Sequence, residues 1–147
     1  MIVEYNEKLE SYLDKELLSK DEIDFELKNN PFGKYLFYIE NDKLIGYIYY
    51  SDIYERAEIN KFEIELNHRN CGKGTELLQT FIKLINKDIT LEVNMSNIPA
   101  IKVYEKCGFV KKCIRQGYYN GVDGILMEIK LRKEWSYEGF IYIRYRK

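Results

Sequence analysis

Arg69-Asn70-Cys71-Gly72-Lys73-Gly74, followed at once by Thr75-Glu76-Leu77-Leu78-Gln79-Thr80-Phe81-Ile82, carries most of the structural information in this chain. Its first half reads Arg-x-x-Gly-x-Gly, and its second half is amphipathic at helical spacing. An alternating apolar run, Ile59 to Leu66, comes just before. The order predicts a strand that enters a glycine-bearing turn and then a helix. Such a turn aims several backbone N–H groups at one point, and the helix dipole adds partial positive charge there, so together they seat a phosphate or pyrophosphate. Glycine allows the backbone to approach the anion with no Cβ in the way. The spacing excludes two other phosphate loops, because there is neither a Gly-Lys-Ser/Thr ending nor a Gly-x-Gly-x-x-Gly. On its own, the motif is equally a helix start with convenient glycines.

A chain of 147 residues predicts one domain with a core large enough to stand without staples. The formal charge of −1 argues against a nucleic-acid grip driven by bulk charge. Fourteen tyrosines suit strands, a polar aromatic pocket or a tyrosine-rich surface. Cys71, Cys107 and Cys113 form no ligand spacing and no even set, and the single histidine, His68, argues against a zinc site or a His-based nucleophile. A reducing, cytoplasmic setting is expected. No apolar run approaches the ~20 residues that span a bilayer, and residues 1–5 lack the marks of a secretory leader. No metal, membrane or nucleic-acid partner is expected, and the chain is read as a monomer or homodimer.

Leu9, Tyr12, Leu13 and Leu17 share one helical face and predict a helix over residues 6–18. Ser19-Lys20-Asp21-Glu22 is a capping box that starts a short helix over Ile23 to Leu27, ended by Asn29-Asn30-Pro31. Strands are predicted for Tyr35 to Glu40, Leu44 to Ser51 and residues 56–66, the first two joined at Asn41-Asp42. A helix follows Gly74, and Thr90 to Asn94 forms a strand. Asn97-Ile98-Pro99 opens a further helix that ends at Gly108, and Phe109 to Tyr119 and Ile125 to Leu131 form a final antiparallel pair. The fold class is α/β: a mixed, mostly antiparallel sheet with helices on both faces, occupying residues 1–131. Residues 132–147 form a strand-like tail, expected to pack on the domain, to pair with a sheet edge, or to meet a partner.

Two blocks in this order resemble the GNAT acetyltransferases, the acyl-CoA-dependent N-acetyltransferase superfamily. The first is Arg69-x-x-Gly72-x-Gly74. The second is Leu91-Glu92-Val93-Asn94 with Asn97, Ala100 and Val103-Tyr104-Glu105-Lys106-Cys107-Gly108-Phe109, similar to the family's "LEV…N..A..LYEK.GF". The resemblance covers about residues 35–131 and implies a three-layer fold with splayed fourth and fifth strands. It implies acetyl-CoA as the co-substrate, with the pyrophosphate at Arg69, Asn70, Cys71, Gly72, Lys73, Gly74 and Thr75. Ile64 and Leu66 on the preceding strand, Asn97 and Tyr104 complete the implied cofactor set. Within the superfamily, the chain looks most like the ribosomal-protein alanine N-acetyltransferases and related N-terminal acetyltransferases. Glu92 then matches the general base and Tyr104 the general acid. Tyr118 and Tyr119, in Gln116-Gly117-Tyr118-Tyr119, are similar to a peptide-lining "NYY" element, and Asp123-Gly124-Ile125-Leu126-Met127 is similar to "DAxxM". The turn before Arg69 is about two residues shorter than the family's and lacks its proline, and Val122 stands where an acid is usual.

The residue types suit the reaction. An ammonium cannot attack a thioester until it loses a proton, and a carboxylate such as Glu92, in an otherwise apolar strand, takes it directly or through a water. The coenzyme A thiolate expelled from the tetrahedral intermediate needs a proton, which the Tyr104 phenol can give. Backbone N–H groups near Leu66 can polarise the carbonyl if that strand diverges from Leu91 to Val93, and the unpaired backbone can take the pantetheine amides like an added strand. Glu63 and Glu65 share one face as second candidate bases, though solvated carboxylates are the more ordinary state for such positions. The leading expectation is acetyl transfer to a protein N-terminal α-amine. The alternatives are a small amine such as a polyamine, amino acid or aminoglycoside, and a non-catalytic acyl-CoA-binding module, which the pairing of Glu92 with Tyr104 disfavours.

Overall fold

Burial of both faces of two neighbouring strands organises the molecule. The computed structural model describes the backbone of residues 1–135 and 141–145, and the side chains of residues 1–131. β2 (Gly33–Glu40) and β3 (Lys43–Ile53), numbered after a short β1 (Ile2–Glu4), send alternate side chains into two cores. Tyr35, Phe37, Ile39, Tyr47 and Tyr49 face one core; Leu36, Tyr38, Ile45, Ile48 and Tyr50 face the other. The Asn41-Asp42 connection has positive φ at both residues, the backbone a tight hairpin needs.

The main sheet has seven strands in the order β1-β2-β3-β4-β5-β7-β6, with β4 (Arg56–Ile64), β5 (Asp88–Asn94), β6 (Val110–Tyr119) and β7 (Val122–Ile129). Every pairing is antiparallel except β4 with β5, which are joined by the crossover helix α2 (Lys73–Ile85). α1 (Lys20–Asn29) lies over the first core, its start capped by Ser19 Oγ, which accepts the Glu22 N–H at 3.1 Å. α2 and α3 (Ile98–Lys106) bury Leu77, Leu78, Phe81, Ile82, Ile101 and Tyr104 in the second core. The fold is the mixed α/β sheet with helices on both faces that the sequence predicts.

Four expectations need correction. The helix over residues 6–18 is instead a 3-10 turn at Glu7–Tyr12. Asn6 caps the turn by accepting the Lys8 N–H, and Asp14 accepts the Glu16 N–H, a donor that a continuing helix would have used. Its apolar residues still pack on the first core. β1 is not predicted by the sequence; it pairs with β2 through Ile2↔Tyr38 to Glu4↔Leu36. The predicted third strand stops at Ile64 and does not reach residue 66: Leu66 begins a 3-10 turn, Leu66–His68, and is exposed. The tail does not extend the main sheet, since β8 (Leu131–Trp135) and β9 (Ile141–Tyr145) pair with each other in a separate two-stranded sheet. Expectations for residues 136–140 and 146–147, and for side-chain packing of the tail, lie outside the described residues.

Candidate functional site

The turn between β4 and α2 is shaped at its two ends. Asn70 and Gly72 both take positive φ, and a Cβ built on Gly72 would meet nothing within 4 Å. Gly72 therefore answers a backbone requirement and faces open space. Gly72 is also the N-cap of α2 and brings no side-chain cap; the first helical bond is Glu76 N–H to Gly72 O at 3.0 Å. The N–H groups of Lys73, Gly74 and Thr75 thus have no partner within the helix. Arg69 Nε donates to Ile64 O at 2.8 Å and ties the turn to the end of β4. Lys73 turns its ammonium to Glu40, 2.6 Å away, and over the Tyr38 ring, whose hydroxyl donates to Glu76 at 2.6 Å. Its side chain is committed to β2, so only its backbone points to the turn. Cys71 Sγ lies 3.0 Å from His68 O, and His68 Nδ1 lies 3.1 Å from Glu65 Oε2.

Beside this turn runs a cavity of about 620 Å³ between the end of β4 and α3. Ile64, Arg69, Asn70, Gly72, Gly74, Thr75 and Asn97 line it, all of them sequence-predicted cofactor residues. Leu66, Cys71 and Lys73 are not in its lining. Asn97 Oδ1 also caps α3 by accepting the Ala100 N–H at 3.3 Å. Sequence reasoning missed Phe62, Pro99, Lys102, Val103 and Lys106 in the wall. Four of these share one face of α3, where the i, i+3, i+4, i+7 spacing of Pro99, Lys102, Val103 and Lys106 is the signal that could have found them.

The two central strands part beside the cavity. β4 and β5 pair only through Arg56↔Asp88, Ala57↔Ile89, Glu58↔Thr90 and Ile59↔Leu91. Beyond that point β4 pairs only with β3, and β5 only with β7, so the edges that face each other are unpaired with one another. A β-bulge in β4 opposite Tyr49 and Tyr50 coincides with the parting. Tyr104, behind Phe62 (ring centroids 5.9 Å apart), is buried, and burial pushes its phenol well above the ordinary value. It keeps its proton through the neutral range.

Glu92 lies on β5, on the face away from α2 and α3. Its Oε1 forms an ion pair with Arg115, whose Nε lies 3.0 Å away, while Oε2 is buried and has no hydrogen-bond partner among the described residues. The β6–β7 ladder is broken between Arg115↔Gly124 and Tyr119↔Val122, so Gln116, Gly117 and Tyr118 loop out. Asp123 Oδ1 holds that loop by accepting the Gly117 N–H at 2.9 Å. Gly124 lets it fold down, since a Cβ there would stand 3.0 Å from the Tyr119 ring and 3.3 Å from Tyr118 Cβ. Tyr118 and Tyr119 meet edge to face at 4.9 Å, and the Arg115 guanidinium sits 5.4 Å from the Tyr118 ring centroid. Burial, then the charge of Glu92, raises the Tyr119 phenol. Tyr119 is thus in electrostatic reach of Glu92 and of Tyr104.

The predicted residues therefore form two groups. The turn, Ile64 and Asn97 share the cavity; Glu92, Tyr104, Tyr118 and Tyr119 lie outside its lining, and Phe62 in the wall packs against Tyr104. Glu63, which also lines the cavity, accepts from Tyr47 at 3.2 Å, and Glu65 is engaged by Lys43 at 3.1 Å through Oε1 and by His68 Nδ1 at 3.1 Å through Oε2.

Comparison with known proteins gives the family. The acetyltransferase (GNAT) family profile matches residues 2–109. A Bacillus subtilis (strain 168) protein, provisionally named a ribosomal protein bS18-alanine N-acetyltransferase, is 31% identical over 121 residues, 78% of this chain and 80% of its own length. The crystal structure of the ribosomal-protein-S18-alanine N-acetyltransferase from Escherichia coli superposes with a TM-score of 0.72 at 23% identity, covering 87% of this chain and 91% of that one. A GNAT family acetyltransferase from Elizabethkingia anophelis, solved with acetyl-CoA bound, gives 0.73 at 21% identity over 89% of this chain and 97% of that one. The chain belongs to the acetyltransferase (GNAT) family and is an N-acetyltransferase that uses acetyl-CoA.

Proposed function

We propose that the acceptor is the α-amine of a protein N-terminus, with Glu92 as the base and Tyr104 as the acid. The observation that carries this reading is the looped-out Gln116–Tyr118 segment beside Glu92. It leaves Tyr118 52% exposed on the side of the sheet that carries Arg115 and Glu92, a surface aromatic of the kind an extended chain packs against. The Bacillus subtilis relative, whose name gives a ribosomal protein N-terminal alanine as its acceptor, supports the same reading.

In this mechanism the N–H groups of Lys73, Gly74 and Thr75 hold the pyrophosphate at the positive end of α2. Arg69, Asn70, Gly72 and Asn97 shape the cavity wall, and the unpaired edges of β4 and β5 accept the pantetheine amides. Ile64 belongs to that edge; Leu66 and Cys71 serve through their backbone at the turn. Acetyl-CoA supplies the thioester whose C–S bond breaks as the C–N bond forms. Glu92 takes the first proton from the acceptor ammonium and leaves the electron pair on nitrogen. Tyr104, neutral because it is buried, gives its proton to the departing sulfur and is restored by the second proton that nitrogen sheds. One proton is released to solvent per turnover. Residues 1–131 act as one acetyltransferase domain. The same reading sets the chain in the cytoplasm as a monomer or homodimer. All three cysteines are free, and among the described residues no helix is long and apolar enough to cross a membrane.

The test is thiol release from acetyl-CoA with a panel of acceptors. A free-N-terminus peptide should be the better substrate, and blocking its α-amine should abolish turnover. Glu92→Gln should depress turnover at neutral pH and recover partly as pH rises. Peptide amines titrate near 7.7–8.0 against ~10.4 for lysine, so recovery should begin at lower pH with an N-terminal peptide. Efficient acetylation of polyamines with every peptide inert would remove the protein acceptor and leave the acetyltransferase.

A further inference from the structure

Glu92 has one oxygen bound and one free. Oε1 is held by Arg115 Nε at 3.0 Å, and Oε2 is buried without a partner among the described residues. Burying a carboxylate oxygen without a hydrogen bond costs free energy, so the arrangement suits an atom that is to receive something. The anchor is itself backed. Arg115 lies beside Gly124 in the β6–β7 register, at the last rung before Gln116–Tyr118 loops out, and its guanidinium rests on the Tyr118 ring at 5.4 Å. That loop is fixed by Asp123 through the Gly117 N–H. The guanidinium is half exposed, so the pair adds little to stability. Its consequence is aim: the contact at Oε1 restrains the carboxylate and leaves Oε2 out of the ion pair.

We propose that Arg115, supported by Tyr118, is the positioning residue that anchors Glu92 through Oε1 and makes Oε2 the atom that takes the acceptor's proton. The N–H bond of the acceptor breaks, the O–H bond forms at Oε2, and the electron pair remains on nitrogen. Arg115 touches neither proton nor thioester; it acts through Glu92. This rests on the reading of Glu92 as the base.

A double-mutant cycle tests it, with Arg115→Gln measured in the native and the Glu92→Gln backgrounds. In the native background kcat should fall by roughly 10-fold or more, the size of one hydrogen bond to a charged group. The KM for acetyl-CoA should hold, and calorimetric affinity for coenzyme A should confirm an intact cavity. In the Glu92→Gln background the same substitution should cost nothing further, because the group through which Arg115 acts is already gone. Arg115→Lys, which keeps the charge, should recover part of kcat. Tyr118→Leu should reproduce a weaker form of the loss, also absent in the Glu92→Gln background, and it serves if Arg115→Gln does not fold. Losses that multiply in the double variant, or an Arg115→Gln enzyme with native kcat, overturn the anchor while a slow Glu92→Gln enzyme keeps the base. A fully active Glu92→Gln enzyme removes both.

Discussion

At the turn between β4 and α2 the groups offered to a ligand are chiefly main chain, whereas around Glu92 they are side chains. On the first side, Gly72 and Gly74 present bare backbone at a helix start, Lys73 turns its ammonium away to Glu40, and the parted edges of β4 and β5 expose peptide groups. On the second, Glu92, Arg115, Tyr118, Tyr119 and Asp123 form a chain of contacts that exists only because β6 departs from regular pairing. A site built from backbone depends on conformation and tolerates changes of side chain. A site built from side chains depends on identity and can be retuned one residue at a time. In the proposed function the first construction serves the co-substrate and the second the acceptor.

The sharpest blow to the comparison falls between the two sides. Tyr104→Phe keeps the ring and its packing against Phe62 and Phe109 and removes only the proton donor. Turnover should fall by roughly 10²–10⁴-fold, the range of an acid–base contribution, with little change in coenzyme A affinity. Native turnover in this variant would assign Tyr104 to packing alone.

Next in size is a test of the backbone side. Gly72→Glu forces an L side chain into φ +84, at a cost of about 1–2 kcal/mol, and sets a carboxylate where phosphates are to sit. Repulsion adds to that strain, so affinity for coenzyme A by calorimetry should drop about 100-fold, since each 1.4 kcal/mol is worth about tenfold. Lys73→Ala should move it by less than about threefold, because its ammonium is already engaged with Glu40. If Lys73 proves the more damaging of the two, the site is built from side chains after all.

The smallest expected effect sharpens the acceptor side. Gly124→Ala puts a methyl group 3.0 Å from the Tyr119 ring, and the neighbouring Tyr118 must give way with it. Overpacking of this kind costs about 1–3 kcal/mol. The KM for a peptide acceptor should rise several-fold, with coenzyme A affinity unchanged. Equal change in both would mean that the loop and the cavity are one unit.

Elements that rest on local signals are legible in the amino-acid sequence. α2 follows from Leu77, Leu78, Phe81 and Ile82 at helical spacing, α1 from its Ser19 cap, and the β2–β3 hairpin from Asn41-Asp42. What sequence patterns miss is long-range or competitive. β1 is three residues long and is a strand only because β2 lies beside it. The apolar stripe of residues 6–18 marks burial correctly and helix wrongly, because Asp14 takes the Glu16 N–H and redirects the backbone. Glu92 and Tyr104 emerge from resemblance to a family block rather than from any local rule. Arg115 carries no signal at all, since its partner sits on a strand two places across the sheet. Lys102 and Lys106 read as a solvated helix face until β4 is seen to end opposite them.

The parting of β4 from β5 has a mechanical meaning. Four register pairs are the whole ladder between a four-stranded part, β1 to β4, and a three-stranded part, β5, β7 and β6. At the closed end the join is reinforced where Lys87, just before β5, pairs with Asp52 of β3. The open end has no such brace in the ladder. The sheet is therefore a pair of leaves on a short hinge, and a molecule that enters between them and bonds to both edges supplies the rungs that the chain leaves out. Amide hydrogens along the mouth would then exchange slowly only while the wedge is in place, and the enzyme would be stiffest at the moment its two reactants must be held in register.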